Sequence, residues 1–301
     1  MFSIGEYRPW SVGELGRQGL RAVVALGVAL LSVSLAGCRV SAAQGPPSAS
    51  SAGPAANGPT MSTPVGSTGT TASVQPVGIA GTWHLVFDDE FSGGALDTAK
   101  WSTGWLGSGI TPDVSSLGLD CDDPQQVSVT DGSLNLALVS KPEVCGGVTQ
   151  EYATGAVNTD GKASFLFGTF EARIYLPATA NGYIADWPAW WADGQHWPTD
   201  GELDVMEGLS GVACYHLRYS AAGARGSCAD GGFSGWHTYA ADWEPGSVTY
   251  YYDGVQVGQI TNAGITPAPL FLVLDYSVHK GSAFTQVPST MRVDYVRVWQ
   301  R

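Results

Sequence analysis

Three acids fall within six residues in Gly201-Glu202-Leu203-Asp204-Val205-Met206-Glu207-Gly208. The apolar residues between them mark the segment as a strand, and side chains in a strand alternate faces, so Glu202 and Asp204 point one way while Leu203 and Val205 point the other. Glu207 has the wrong parity for that face. One extra residue bulged out near Val205-Met206 would return it to the side of Glu202. Two carboxyls on one face, about 5–5.5 Å apart, are the equipment of a double displacement at an acetal carbon: one ionised acid attacks, and one protonated acid serves the leaving oxygen. Crowding three carboxyls is costly unless one keeps its proton. Asp204, in the middle, is placed to hydrogen-bond to Glu202 and to raise the pKa of its neighbour. The plainer alternatives are an exposed polar strand face or a calcium site.

The elements around this strand read as all-β. Val127, Val129, the Asp131-Gly132 turn, then Leu134, Leu136 and Leu138 spell a hairpin. Tyr250, Tyr252, the Asp253-Gly254 turn, then Val255 and Val257 spell another. Period two returns in Met291, Val293 and Tyr295 near the end of the chain. No long amphipathic helix and no internal repeat is evident, so the expectation is a sandwich or barrel.

Several segments in order resemble glycoside hydrolase family 16, in its bulged, laminarinase-like branch. They are Phe87-Asp88-Asp89-Glu90-Phe91, Gly168-Thr169-Phe170-Glu171-Ala172-Arg173, Trp187-Pro188-Ala189-Trp190-Trp191, the acid strand itself, and Val293-Asp294-Tyr295-Val296-Arg297-Val298-Trp299. The resemblance runs over roughly residues 82–301. It implies a jelly roll of two curved antiparallel sheets with a substrate cleft across the concave face. It also implies Glu202 as nucleophile, Asp204 as its assistant and Glu207 as acid/base. Arg173, Asn158 and His216 are implied as sugar-contacting residues. A structural calcium at Glu90 and Asp294 is implied too, with plain surface polarity as the alternative; no other cofactor is required.

Eleven tryptophans are many for 301 residues. Sugar rings present apolar C–H faces that stack on indoles, and the resemblance implies Trp187 and Trp191 in the cleft, with core filling as the alternative. Trp190, of opposite parity, is expected in the core. Trp197 is left open.

Composition bounds the partners. The formal charge of −13 repels polyanions and provides no basic stripe for a phosphate backbone, which excludes nucleic acid and favours neutral over sulfated or uronate-rich glycans. Polysaccharide remains as the expected partner, met by a monomer.

The first 38 residues read as an export signal. Arg17 and Arg21 precede an apolar run from Ala22 to Ala36 that is short for a permanent span. Leu35-Ala36-Gly37-Cys38 resembles a bacterial lipobox, which implies lipid on Cys38 and membrane contact through that anchor alone; an ordinary secretory signal is the alternative. Residues 39–80, rich in Ser, Ala, Gly, Pro and Thr, read as a disordered linker. Residues 81–301 are then the catalytic domain, held at the outer face of the bacterial membrane or secreted. With Cys38 set aside, Cys121, Cys145, Cys214 and Cys228 are an even set suited to an oxidising compartment. Local pairing, Cys121 with Cys145 and Cys214 with Cys228, is the expected one of three connectivities.

The expected activity is a retaining endo-hydrolysis of β-linked glucan, β-1,3 first and mixed β-1,3-1,4 second. Action on a galactan or glycosaminoglycan, transglycosylation, and a non-catalytic glucan-binding lectin are the alternatives.

Overall fold

The computed structural model describes residues 74–301 apart from 116, 220–223, 262–267 and 283. The export signal, Cys38 and most of the linker lie outside the described residues. The linker boundary expected at 80 needs correction, because residues 74–80 already pack on the domain. Val77 N–H donates to Glu171 at 2.8 Å, Trp299 Nε1 donates to the Val74 carbonyl at 2.8 Å, and Ile79 is buried with Trp83, Ala240 and Trp299.

Two β-sheets face each other. The back sheet runs in the order Val255–Thr261, Ser247–Tyr252, Gly235–Glu244, Gly168–Leu176, Ser289–Gln300, Ser133–Cys145, Val148–Thr154, Asp120–Asp122 and Thr111–Pro112; His84–Asp89 and Val127–Thr130 pair alongside. The front sheet runs Ala224–Cys228, Cys214–Arg218, Glu202–Glu207, Trp187–Gly194, Leu270–Ser277, Ala156–Asn158 and Ser102–Thr103. The pairings are antiparallel except that of Asp120–Asp122 with Val148–Thr154.

Both expected hairpins form. Thr130 pairs with Ser133 and Tyr252 with Val255, and the central residues Asp131-Gly132 and Asp253-Gly254 all have positive φ, as two-residue turns matched to strand twist require. Strand alternation then fills the space between the sheets. Leu134, Leu136, Phe170, Ile174, Tyr250 and Tyr252 come from behind; Trp190, Leu203, Leu217, Leu272 and Leu274 come from in front. Burial on this scale, at about 25 cal/mol per Å² of apolar surface, is what holds the layers together. Both disulfides, Cys121–Cys145 and Cys214–Cys228, have the expected local pairing.

The outer face of the front sheet is the important one. Ala189, Trp191, Phe271 and Val273 lie there, packed by Trp105 and Val114 from the loop that precedes Asp120. That loop makes the face a cleft rather than an open surface.

Candidate active site

The acid strand carries the expected bulge. On one side Trp190 pairs with Met206 and Trp191 with Asp204, so two successive residues span three. On the other side His216 pairs with Asp204 and Cys214 with Glu207, again one residue short. Val205 is the extra residue, with no register partner on either side. Leu203, Val205 and Met206 therefore all enter the core, while Glu202, Asp204 and Glu207 line one cavity with Asp113, Val114, Trp187, Trp191, Asp275 and Ser277.

The two glutamates have different surroundings. Glu202, 3% exposed, accepts from Arg218 Nε at 3.3 Å and from Trp197 Nε1 at 2.5 Å. Burial raises its pKa and the charge of Glu207 adds to this, while the Arg218 charge and the Trp197 N–H pull the other way. Glu207 accepts from Trp187 Nε1 at 3.2 Å, and its second oxygen lies 2.6 Å from His216 Nδ1. A guanidinium thus faces Glu202, and an imidazole faces Glu207. Burial, reinforced by the charges of Glu202 and Glu207, holds Asp204 well above the ordinary carboxylate range, which makes it the natural resting place for a proton.

A second group of acids lies beside these three. Asp275 accepts from Trp191 Nε1 at 2.6 Å and from the Ser277 hydroxyl at 3.3 Å; burial, with the charge of Asp113 next, pushes its pKa up to about 8. Burial likewise pushes Asp113 up to about 7. Asp120 and Asp122 behind them are also raised, by burial first and then by Asp113.

Three of the four tryptophans of the 187–197 segment hold an acid: Trp187 holds Glu207, Trp191 holds Asp275 and Trp197 holds Glu202. Trp187 and Trp191 do line the cavity, yet they are only 7% and 6% exposed, and Trp191 is stacked on Trp105 at 5.3 Å. Their N–H groups orient carboxylates, a role that reading them as sugar platforms does not include. Trp190 is in the core.

Other expected contacts are placed differently. Arg173 is on the back sheet, facing outward, where it donates to Asp294 at 2.8 Å and covers Trp236 at 4.7 Å; the cleft is on the other layer. Asn158 is on the front sheet but 2% exposed, because its amide donates to the Gly104 carbonyl at 2.7 Å and its oxygen accepts from the Asp160 N–H. It anchors the segment bearing Trp105. His216 is on the cleft face, engaged by Glu207.

Glu90 and Asp294 do not fit a calcium site. A calcium ion takes six to eight oxygens, whereas both oxygens of Glu90 accept from Arg297, at 2.7 and 2.8 Å, and Asp294 accepts from Arg173. The one potential metal-ligand group among the described residues is Asp204, Glu207 and His216, whose ligand atoms lie within 4.8 Å of one another. Its imidazole and a Glu207 oxygen already share a hydrogen bond, an arrangement for moving a proton.

Arg218, Asp113 and Asp275 are the site residues that sequence reasoning missed, and Trp197, left open there, is on Glu202. Arg218 was within reach: it shares the parity of Cys214 and His216 on the neighbouring strand. Asp275 is a lone acid in the otherwise apolar run Leu270–Tyr276. Asp113, in a loop, gave no signal.

The model of glycosyl hydrolases family 16 matches residues 120–297. A glucan endo-1,3-beta-glucosidase A1 of Niallia circulans is 29% identical over 267 residues, covering 72% of this chain; the chain spans 38% of that relative's length. A beta-glucanase of Rhodothermus marinus is 27% identical over 267 residues, covering 72% of this chain and 85% of its own. The catalytic domain of an endo-1,3-beta-glucanase (laminarinase) from Thermotoga petrophila RKU-1 superposes with a TM-score of 0.62 at 23% identity, covering 73% of this chain and 98% of its own, which shows a shared jelly-roll fold.

Proposed function

Because the chain belongs to glycosyl hydrolase family 16, we propose that it is a retaining, endo-acting hydrolase of a neutral β-linked glucan, with β-1,3 linkages preferred and mixed β-1,3-1,4 next. One observation carries this reading. The Val205 bulge puts Glu202 and Glu207 on one wall of a cleft, and their partners distinguish them. Glu202, opposite Arg218, is the group to keep ionised and attack the anomeric carbon. Glu207, held by Trp187 and His216 without a fixed cation, is the group to give a proton to the leaving oxygen.

The steps balance on these residues. Attack forms an ester between Glu202 and the sugar as the glycosidic C–O bond breaks and Glu207 loses its proton to the departing chain. Glu207, now ionised, takes a proton from water, and the water oxygen displaces Glu202 with a second inversion, so configuration is retained. Asp204 keeps its proton while Glu202 is charged. Esterification of Glu202 removes that charge, so the repulsion holding the Asp204 proton weakens in the intermediate.

Substrate class follows from charge and from the relatives. The chain's formal charge of −13 disfavours the approach of a polymer rich in uronate or sulfate. Two of the relatives carry glucanase names. The same reading has the chain exported, tethered through lipid on Cys38, and two disulfides support an oxidising compartment. Reducing-end release should be measured on laminarin, lichenan, agarose and hyaluronan, with wild type and Glu202→Gln. Rapid cleavage of laminarin, slower cleavage of lichenan and loss of both in the variant are expected. Binding of glucan without any cleavage would favour a lectin.

A further inference from the structure

The bulge that aligns the acids breaks the hydrogen-bond ladder at the point where Glu207 must be held most accurately. Two tyrosines reach it from the opposite sheet. Tyr252, in the back-sheet strand Ser247–Tyr252, has its hydroxyl 3.0 Å from the Val205 carbonyl oxygen and 3.1 Å from that of Cys214. Tyr250, in the same strand, donates to the His216 carbonyl at 2.8 Å. Each of these three carbonyls belongs to a residue that fixes Glu207. Val205 is the bulged residue two before it, Cys214 is its register partner, and the His216 side chain is on its carboxyl.

The rings themselves are immobilised. Tyr252 is 1% exposed and packs edge-on against Tyr239 at 4.9 Å and Phe233 at 5.1 Å. Tyr250 is 0% exposed and stacks on Tyr215 at 4.4 Å. Hydroxyls carried on fixed rings give fixed points in space, which a broken ladder cannot supply by itself.

We infer that Tyr252, seconded by Tyr250, is a positioning residue for the proton donor: its hydroxyl crosses the core to hold the bulge and so sets where the Glu207 carboxyl meets the leaving oxygen. The inference rests on the acid role proposed for Glu207. A buried tyrosine hydroxyl requires some acceptor in any protein, so the claim needs an internal comparison. Tyr239 provides it: it is 0% exposed, it is on the same sheet, and its hydroxyl donates to the Phe233 carbonyl at 2.9 Å, away from the acid strand.

Tyr252→Phe, Tyr250→Phe, Tyr239→Phe and Glu207→Gln should be assayed on two aryl glycosides of the cleaved glucan, one with an activated nitrophenol and one with unsubstituted phenol as leaving group. An activated phenolate departs without protonation, so only damage to acid catalysis discriminates between the two. Tyr252→Phe should lose about 10- to 100-fold in kcat/KM, which reports the step that forms the glycosyl-enzyme, on the phenol glycoside and less than about threefold on the activated one, the scale of a small misplacement of a catalytic group. Tyr250→Phe should show the same discrimination more weakly. Tyr239→Phe should lower the thermal midpoint comparably with no discrimination. Equal losses on both substrates, or no loss, in both Tyr252→Phe and Tyr250→Phe would overturn the inference. If Tyr252→Phe does not fold, Tyr250→Phe decides alone. Failure of Glu207→Gln to discriminate would instead overturn the acid role on which the inference stands.

Discussion

The outer faces of the two sheets treat charge in opposite ways. On the back sheet, acids meet arginines: Glu90 with Arg297, Asp294 with Arg173 and Asp242 with Arg301. The arginines also lie over rings, Arg297 over Tyr295 at 3.7 Å and Arg173 over Trp236 at 4.7 Å. On the front sheet, Glu202, Asp204, Glu207, Asp275 and Asp113 crowd one cavity, with the Arg218 guanidinium on Glu202 and the His216 imidazole on Glu207. Solvated pairs of the first kind contribute about 0–1 kcal/mol. Ionising buried acids crowded in the second way opposes folding, and such crowding persists where chemistry needs it.

That contrast yields graded expectations. Substitution in the cleft should cost the most activity: Glu202→Gln should reduce kcat on polysaccharide by several orders of magnitude, and Glu207→Gln by about 10²–10⁴-fold, read by reducing-end release. Activity within tenfold of wild type in either variant would remove that residue from the mechanism. Asp204→Asn should lose activity but less than either, because it supports a group that reacts and does not react itself.

A stability effect comes next. Asp275 and Asp113 hold protons in the folded state up to about pH 8 and 7, whereas an unfolded aspartate releases its proton near 3.8. Between these limits the native state binds more protons than the unfolded one, so stability is greatest at the acid end and falls as pH rises toward 8. The thermal midpoint should therefore rise as pH is lowered from about 8 to about 5 at fixed ionic strength. Asp275→Asn, which mimics the neutral acid, should flatten that slope; a midpoint that instead climbs toward pH 8 would contradict the assignment. The smallest effect belongs to the back sheet: Asp294→Asn should alter stability by less than about 1 kcal/mol and leave kcat untouched. A loss of activity there would break the division between the two faces.

The sequence made the front strand legible because parity is a strong constraint. Three acids with one of wrong phase leave a bulge as the way to gather them, and Val205 is where the extra residue is found. The hairpins were legible for a similar reason, since Asp-Gly turns demand positive φ at both positions. Parity does not say which sheet a strand joins, which is why Arg173 is on the wrong layer for sugar. Nor does it report what is spent inside the fold: Asn158 has the right strand but gives its amide to Gly104. Asp113, Asp275 and Arg218 converge from segments far apart in the chain, and convergence of that kind comes from topology rather than local pattern. Residues 74–80 follow the linker directly, yet hydrogen bonds between their backbone and the side chains of Glu171 and Trp299, with Pro76 and Ile79 buried, dock them on the domain.

The central claim is that the bulged strand presents one glutamate to form a covalent bond and the other to handle the proton. It is tested most directly by treating the enzyme with a 2-deoxy-2-fluoro aryl β-glycoside of its glucan and mapping the adduct by peptide mass spectrometry. A stoichiometric glycosyl ester on Glu202, absent in Glu202→Gln and still formed in Glu207→Gln with an activated leaving group, is the predicted result. An ester on Glu207, or turnover to products of inverted anomeric configuration with no adduct, would contradict it.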